Sequence, residues 1–199
     1  MDLYLKILEF EKFAKQVINL NEIDKLKSFD EMKKFAKKHF EYIAQGSSRI
    51  IFKLDDGTIL KLAKNEKGLA QNFVESNPKM KSFLKPKMIK SSKDKFWINV
   101  EFLTPIKEKE FEKLSGMSFH SFNKTLEFDS KSGKSTEPDQ DVEKNKIYKE
   151  VLRLNKEFDL TCGDLTKISS WGKSKEGKLK LIDTGMTHEI YNEFYRGKS

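Results

Sequence analysis

Cysteine is almost missing from this chain: Cys162 is the only one among 199 residues. That excludes a disulfide framework and makes a reducing, cytoplasmic setting the expectation. Long apolar runs are missing as well, and none approaches the ~20 residues that a transmembrane helix needs. Asp2, Lys6 and Glu9 interrupt the N-terminal apolar pattern, so it does not read as a secretory signal. The expectation is a soluble protein with no membrane partner. Arginine is scarce too. The chain carries 39 Lys plus Arg against 31 Asp plus Glu, a formal charge of +8, yet only Arg49, Arg153 and Arg196 are arginines. Bidentate phosphate and base recognition favours arginine over lysine, which weakens a nucleic-acid reading of the positive charge. Most lysines also alternate with acids, as in Lys107-Glu108-Lys109-Glu110. The exception is the stretch Lys79 to Lys95, with Asp94 its single acid, which reads as a solvated hairpin face or as a polyanion-binding patch.

What remains is polar but able to fold. Hydrophobic residues make up 37% of the chain and include 16 Phe, enough for a core in one domain or one small bilobed unit. Leu5, Leu8, Phe13, Val17 and Leu20 recur at helical spacing, predicting a first helix over Leu3 to Leu20. Ser28 with Glu31 forms a capping-box pattern ahead of Phe29, Met32, Phe35, Ala36 and Phe40, predicting a second. The period then shortens. Arg49 to Leu54 and Thr58 to Ala63 read as strands joined by Asp55-Asp56-Gly57, a strong hairpin signal. Glu66 to Glu75 reads as a helix stopped by Asn77-Pro78. Two further strands are predicted over Lys87 to Ser91 and Phe96 to Leu103. Helices follow over Ile106 to Leu114 and Ser118 to Phe128, then a polar linker from Asp129 to Gln140. A long helix is predicted over Asp141 to Phe158, a loop over Thr161 to Gly172, a strand over Lys178 to Ile182 and a helical tail from Thr187. A regular alternation of strand and helix is missing, so a small antiparallel sheet lobe with a helical lobe, an α+β arrangement, fits best. The expected divisions are 1–40 (helical), 41–104 (β-rich) and 105–199 (a reduced helical lobe).

Some motifs carry no weight. Ser132-Gly133-Lys134-Ser135 ends like a phosphate-binding P-loop, but Phe128 stands where its first glycine belongs. His39, His120 and His188 are far apart and show no zinc spacing. Cys162 reads as a small structural residue before it reads as a nucleophile. One constellation survives. Lys61 sits inside the apolar strand Thr58 to Ala63, where a lysine is locally costly, and Glu75 follows on the next helix. Gln45-Gly46-Ser47-Ser48 is a small-residue turn leading into a strand. Asp164 follows the long helix in Thr161-Cys162-Gly163-Asp164-Leu165, and Asp183 ends the last strand in Leu181-Ile182-Asp183-Thr184-Gly185.

From about Tyr42 to Gly185 this order resembles the protein-kinase-like superfamily that includes aminoglycoside-phosphotransferase-type enzymes, and it is especially similar to small kinase-like proteins of bacteriophages. The resemblance implies ATP and Mg²⁺ as cofactors. It makes Gly46, Ser47 and Ser48 the phosphate-covering loop, Lys61 the strand lysine, Glu75 its helix partner and Glu101 to Pro105 the hinge. It makes Asp164 the catalytic-loop aspartate and Asp183 the metal-binding aspartate. The logic is that of phosphoryl transfer, mostly positioning and charge neutralisation. The chain departs from the pattern at Ser169, which stands at the second-metal position normally held by asparagine. It departs again at Cys162 in place of the motif histidine, at Thr184 in place of the aromatic, and in having only 16 residues after Asp183. Three function classes follow. They are an ATP-dependent phosphotransferase, acting in a host cytoplasm if phage-encoded; a catalytically inactive kinase-like module that regulates a host or phage protein by binding; and a basic nucleic-acid-binding protein using the Lys79 to Lys95 patch.

Overall fold

The computed structural model describes residues 20–129 and 139–196, together with Lys6 and Glu11. Most of the predicted first helix, and the polar linker with its P-loop-like Ser132-Gly133-Lys134-Ser135, lie outside the described residues. The architecture is α+β. The chain divides into two compact units, Met1–Ser76 with Lys87–Phe102 and Asn77–Pro86 with Leu103–Ser199. No helix among the described residues is long and apolar enough to cross a membrane.

The first unit is organised by an antiparallel sheet. Its strands are β1 (Glu41–Gln45), β2 (Arg49–Lys53), β3 (Thr58–Ala63), β4 (Met88–Ser91) and β5 (Trp97–Glu101), in spatial order β1-β2-β3-β5-β4. The β2–β3 hairpin turns through Gly57 at φ 76°, a conformation glycine adopts without steric cost. The period of two sorts the strands cleanly. One face carries Ile50, Phe52, Leu60, Leu62 and Trp97, and packs with Leu20, Ile23, Met32 and Ala36 into a closed core. Met32 and Ala36 come from helix α1 (Phe29–His39). Its capping box forms as the sequence predicts: Ser28 Oγ accepts from Glu31 N at 3.2 Å, and Glu31 Oε2 accepts from Ser28 N at 3.2 Å.

The opposite face carries Ile51, Ile59, Lys61, Ile98 and Val100, with Arg49 at its start. Helix α2 (Glu66–Glu75) follows β3 and buries Gly68, Gln71, Asn72 and Glu75, positions at i, i+3, i+4 and i+7. This helix is inverted. Its polar stripe is buried, while Phe73 on the other side is 67% exposed. The approach of α2 to the start of β2 is close: a Cβ on Gly68 would stand 2.2 Å from the Ser48 carbonyl oxygen.

The second unit has an aromatic centre. Phe111 of α3 (Glu108–Ser115), Phe119 and Phe122 of α4 (Phe119–Asp129) and Trp171 meet with centroids 4.9–6.0 Å apart, and Tyr148 joins edge-on to Phe122. The long helix predicted over Asp141 to Phe158 is two helices, α5 (Gln140–Lys144) and α6 (Lys146–Phe158). Asn145 leaves helical dihedrals at ψ 132° and caps α6 by accepting from Ile147 N. The apolar period runs through this break, so period alone cannot reveal it. Arg153 of α6 bonds Glu150, Glu157 and the Lys81 carbonyl, which ties the segment Asn77–Pro86 to the helix. The region predicted as a loop from Thr161 to Gly172 contains α7 (Cys162–Leu165), a 3-10 turn (Ile168–Ser170) and the start of a strand. That strand, β7 (Trp171–Lys173), lies between β6 (Thr104–Pro105) and β8 (Leu179–Leu181) in a second sheet of three very short strands. Helix α8 (His188–Phe194) is capped by Thr187, whose Oγ1 accepts from Ile190 N.

Gly68→Ala should lower the urea midpoint, with a loss of about 1–3 kcal/mol from overpacking against backbone that cannot move freely. Gly46→Ala, where a Cβ meets nothing within 4 Å, should stay within about 0.5 kcal/mol of the parent. Equal midpoints for the two variants would refute the close-packing account.

Candidate functional site

Lys61 lies on the central strand of the five-stranded sheet and is 2% exposed. Its Nζ stands 2.5 Å from Glu75 Oε1, and Glu75 is fully buried at the end of α2. A third residue, which the sequence did not single out, completes the group. Arg49 donates through Nη1 to Glu75 Oε2 at 2.7 Å and to Asn72 Oδ1 at 3.4 Å. Each oxygen of Glu75 therefore meets a different cation. Asn72 extends the group by donating to the Lys95 carbonyl at 2.9 Å, which fastens the β4–β5 turn to α2. The signal available in the sequence was the polar stripe Gly68, Gln71, Asn72, Glu75, whose burial requires polar partners on the facing strands.

The turn Gly46-Ser47-Ser48 joins β1 to β2 and is anchored to the same helix. Ser48 Oγ donates to Gln71 Oε1 at 2.8 Å, Asn65 Nδ2 to the Ser47 carbonyl at 3.0 Å, and Lys64 Nζ to the Gly46 carbonyl at 2.8 Å. The turn, the strand lysine and the helix carboxylate thus form one connected polar assembly in the first unit. Glu101 is half-buried at the end of β5, with its backbone N–H donating to the Lys87 carbonyl.

Asp164, Ser169 and Asp183 all belong to the second unit, on two segments clamped to each other at both ends. At one end Leu160 bridges Thr187 in antiparallel fashion, with Thr161 N donating to the Met186 carbonyl and His188 N to that of Asp159. At the other end the β7–β8 ladder continues past Trp171 and Leu181 through a 2.8 Å bond from Ile182 N to the Ser170 carbonyl. The next residue on each side is Ser169 and Asp183. Ser169 and Asp183 thus each lie one residue beyond the last backbone bond between the segments, Ser169 within the 3-10 turn, and Asp164 lies within the clamped segment. Both Ser169 and Asp183 are exposed. One Asp183 oxygen accepts from Gly185 N at 2.8 Å. Asp164 accepts from Lys167 Nζ at 2.8 Å and from Thr161 Oγ1 at 3.3 Å.

Asp164 also lines an open cavity of about 540 Å³ together with Cys162, Lys167, His188 and Tyr191. Cys162 is half-buried in that wall and accepts a hydrogen bond from Asn155 Nδ2 at 3.3 Å. His188 Nδ1 lies 2.9 Å from Asp159 Oδ1. Lys167, His188 and Tyr191 were not singled out from the sequence, because nothing in their spacing ties them to Asp164 before the bridge between Leu160 and Thr187 is known.

The basic stretch Lys79 to Lys95 is divided between the two units, and several of its lysines are engaged internally. Lys85 Nζ donates to the Asn77 and Met80 carbonyls, Lys95 Nζ to Ser91 Oγ, and Lys90 stands over the Trp97 ring. Among the described residues no group of three or more His, Cys, Asp or Glu side chains is placed to hold a metal ion by itself. No protein-family model and no curated protein matches the chain.

Two outcomes test this geometry. Glu75→Gln keeps the shape but leaves Lys61 and Arg49 around a neutral amide, and should cost about 3–5 kcal/mol of stability. Lys61→Met should cost less, because Glu75 keeps Arg49; a reversed order in denaturant midpoints would contradict the shared carboxylate. Thr184 presents the opposite case. Its Oγ1 is a buried hydroxyl without a hydrogen-bond partner among the described residues, so Thr184→Val should gain about 1 kcal/mol while Thr184→Ser should gain nothing. A loss of stability in the valine variant would show that the hydroxyl is satisfied.

Proposed function

We propose that this chain is a kinase-like nucleotide-binding protein that acts as an ATP-dependent phosphotransferase. The observation that carries the reading is the buried pair of Lys61 and Glu75. A central-strand ammonium held by a helix carboxylate is an expensive arrangement for stability alone, and it is what a lysine needs in order to meet phosphate oxygens in a fixed position.

The residues present suit the group. Lys61, set by Glu75, would meet the α- and β-phosphates. Asp183 would hold Mg²⁺, with Ser169 as a neutral oxygen donor. One carboxylate and one hydroxyl match an ion that keeps much of its shell from water and phosphate rather than from a protein cage. When bound, Mg²⁺–ATP supplies the transferable phosphoryl group and neutralises its charge. The chain's own residues do the rest. Glu75, itself held by Arg49, keeps the Lys61 ammonium in place, and the anchored turn Gly46-Ser47-Ser48 would cover the phosphates as a short, constrained segment. Asp164 orients the acceptor hydroxyl and accepts its proton at a carboxylate oxygen. The reading of an inactive, binding-only module draws on two observations: Ser169 is a weaker ligand than the asparagine of the family, and Lys167 occupies Oδ1 of Asp164.

The decisive experiment is a thermal-shift titration with ATP, with and without Mg²⁺, joined to transfer from radiolabelled ATP. At about a hundredfold excess over Kd the wild type should gain about 2.7 kcal/mol, a shift of several degrees. Lys61→Met should abolish the shift, and Asp183→Asn should abolish its Mg²⁺ dependence. Asp164→Ala should retain the shift and lose transfer. A full Mg²⁺–ATP shift in both Lys61→Met and Asp183→Asn would sink the reading, and a shift without transfer in the wild type would leave the binding-only module.

A further inference from the structure

The cavity beside Asp164 is walled by helices and the loops that join them. Asn155 comes from α6, Asp164 from α7, Lys167 from just beyond it, and His188 and Tyr191 from α8. Among the described residues no strand lines it, so they offer no sheet edge to an extended peptide. Its volume of about 540 Å³ falls in the range that encloses one small molecule.

The wall has two characters. Tyr191 is 49% exposed and its ring lies parallel to that of Tyr195, at an interplanar angle of 3° with centroids 6.3 Å apart. As a lining residue it supplies an aromatic surface to the cavity. The polar lining groups include a carboxylate, an ammonium, an imidazole, an amide, a hydroxyl and a thiol. An aromatic side chain with several directional polar groups matches a ring that has one apolar face and hydroxyls at its edge. The charge pairing narrows the class further. Lys167 is exposed and pairs with Asp164 across three residues, a surface contact of little weight. An acidic group on the incoming molecule can therefore draw Lys167 away and release Oδ1 of Asp164 for a hydroxyl. A cationic molecule would meet Lys167 as a like charge and compete with it for Asp164 instead of freeing that carboxylate for a hydroxyl.

We propose that the cavity takes an acidic ring polyol, a sugar ring bearing one carboxylate or phosphate. Its ring lies on Tyr191, its acidic group on Lys167 and a hydroxyl on Asp164. The proposal rests on the reading of Asp164 as the hydroxyl-orienting carboxylate and names the acceptor class for it.

The test is calorimetric titration of the full chain, without nucleotide, using glucose, glucosamine, glucuronate and glucose 6-phosphate. Glucuronate and glucose 6-phosphate should each bind about tenfold or more tighter than glucose, and the stronger of the two identifies the acid; glucosamine should bind weakest. Tyr191→Ala should weaken every ligand about tenfold, and Lys167→Ala should bring the acids down to the level of glucose. Both side chains are solvent-facing, and unchanged melting temperatures would show that the variants fold. Glucosamine binding as tightly as the acids, indifference to either substitution, or no binding by any sugar would overturn the proposal. Acid-sugar binding without any Mg²⁺–ATP shift would retain the cavity's ligand class and sink the phosphotransferase reading. A Lys61-dependent ATP shift without sugar binding would do the reverse.

Discussion

One carboxylate organises the first unit. Glu75 is fully buried and gives one oxygen to Lys61 and the other to Arg49. Removing three charged groups from water costs several kcal/mol per ion, and only close mutual pairing offsets it. None of the three can be moved alone. The consequence reaches well beyond the ion pairs: α2 must hold its last turn over β3, β2 must begin where Arg49 can reach, and the turn before it must be short. Gly68 is the steric counterpart of this demand, because only a residue without a Cβ lets α2 descend far enough onto the Ser48 carbonyl.

This constraint explains the inverted helix. A surface helix ordinarily buries its apolar stripe. Here the buried stripe is Gly68, Gln71, Asn72 and Glu75, while Phe73 faces outward. The larger apolar core of the unit lies on the other face of the sheet, where α1 closes it around Phe52, Leu60 and Trp97. The face that holds Lys61 buries a smaller apolar cluster of Ile59, Ile98 and Val100. The polar assembly is thus set beside apolar burial on its own face and backed by the larger core on the other. A buried ion network is weak evidence for stability and better evidence that charge is wanted in that place.

Much of this was legible in the sequence, and the reasons are physical. Lys61 announces itself because a lone ammonium inside Thr58 to Ala63 contradicts its apolar neighbours, and Glu75 because its helix is the next element. The capping box at Ser28 and the Asp-Gly hairpin are local chemistry, readable without tertiary knowledge. Arg49 was not legible, because a charged residue beside a small-residue turn looks like a solvated strand end. The break at Asn145 was hidden by an apolar period that passes through it, and β6 and β7, at two and three residues, are too short to show alternation.

In the second unit the arrangement depends on backbone pairing instead of charge. The segment holding Asp164 and Ser169 is fastened at Leu160–Thr187 and again at Ser170–Ile182, to the same segment that holds Asp183. A loop tied at both ends has few conformations left, so its side chains are positioned without further cost when a ligand arrives. The side chains that do have freedom are the ones at its rim, above all Lys167, which is exposed and holds Asp164 by a weak surface pair. Rigidity in the backbone and looseness in one cation are complementary. The carboxylate is held by its short helix within the clamped segment, and Lys167 is the member of the pair that can move away, most readily toward another negative charge. On the proposed reading, an acceptor that brings its own negative charge would free the group that its hydroxyl needs, and a neutral one would have to open the pair unaided.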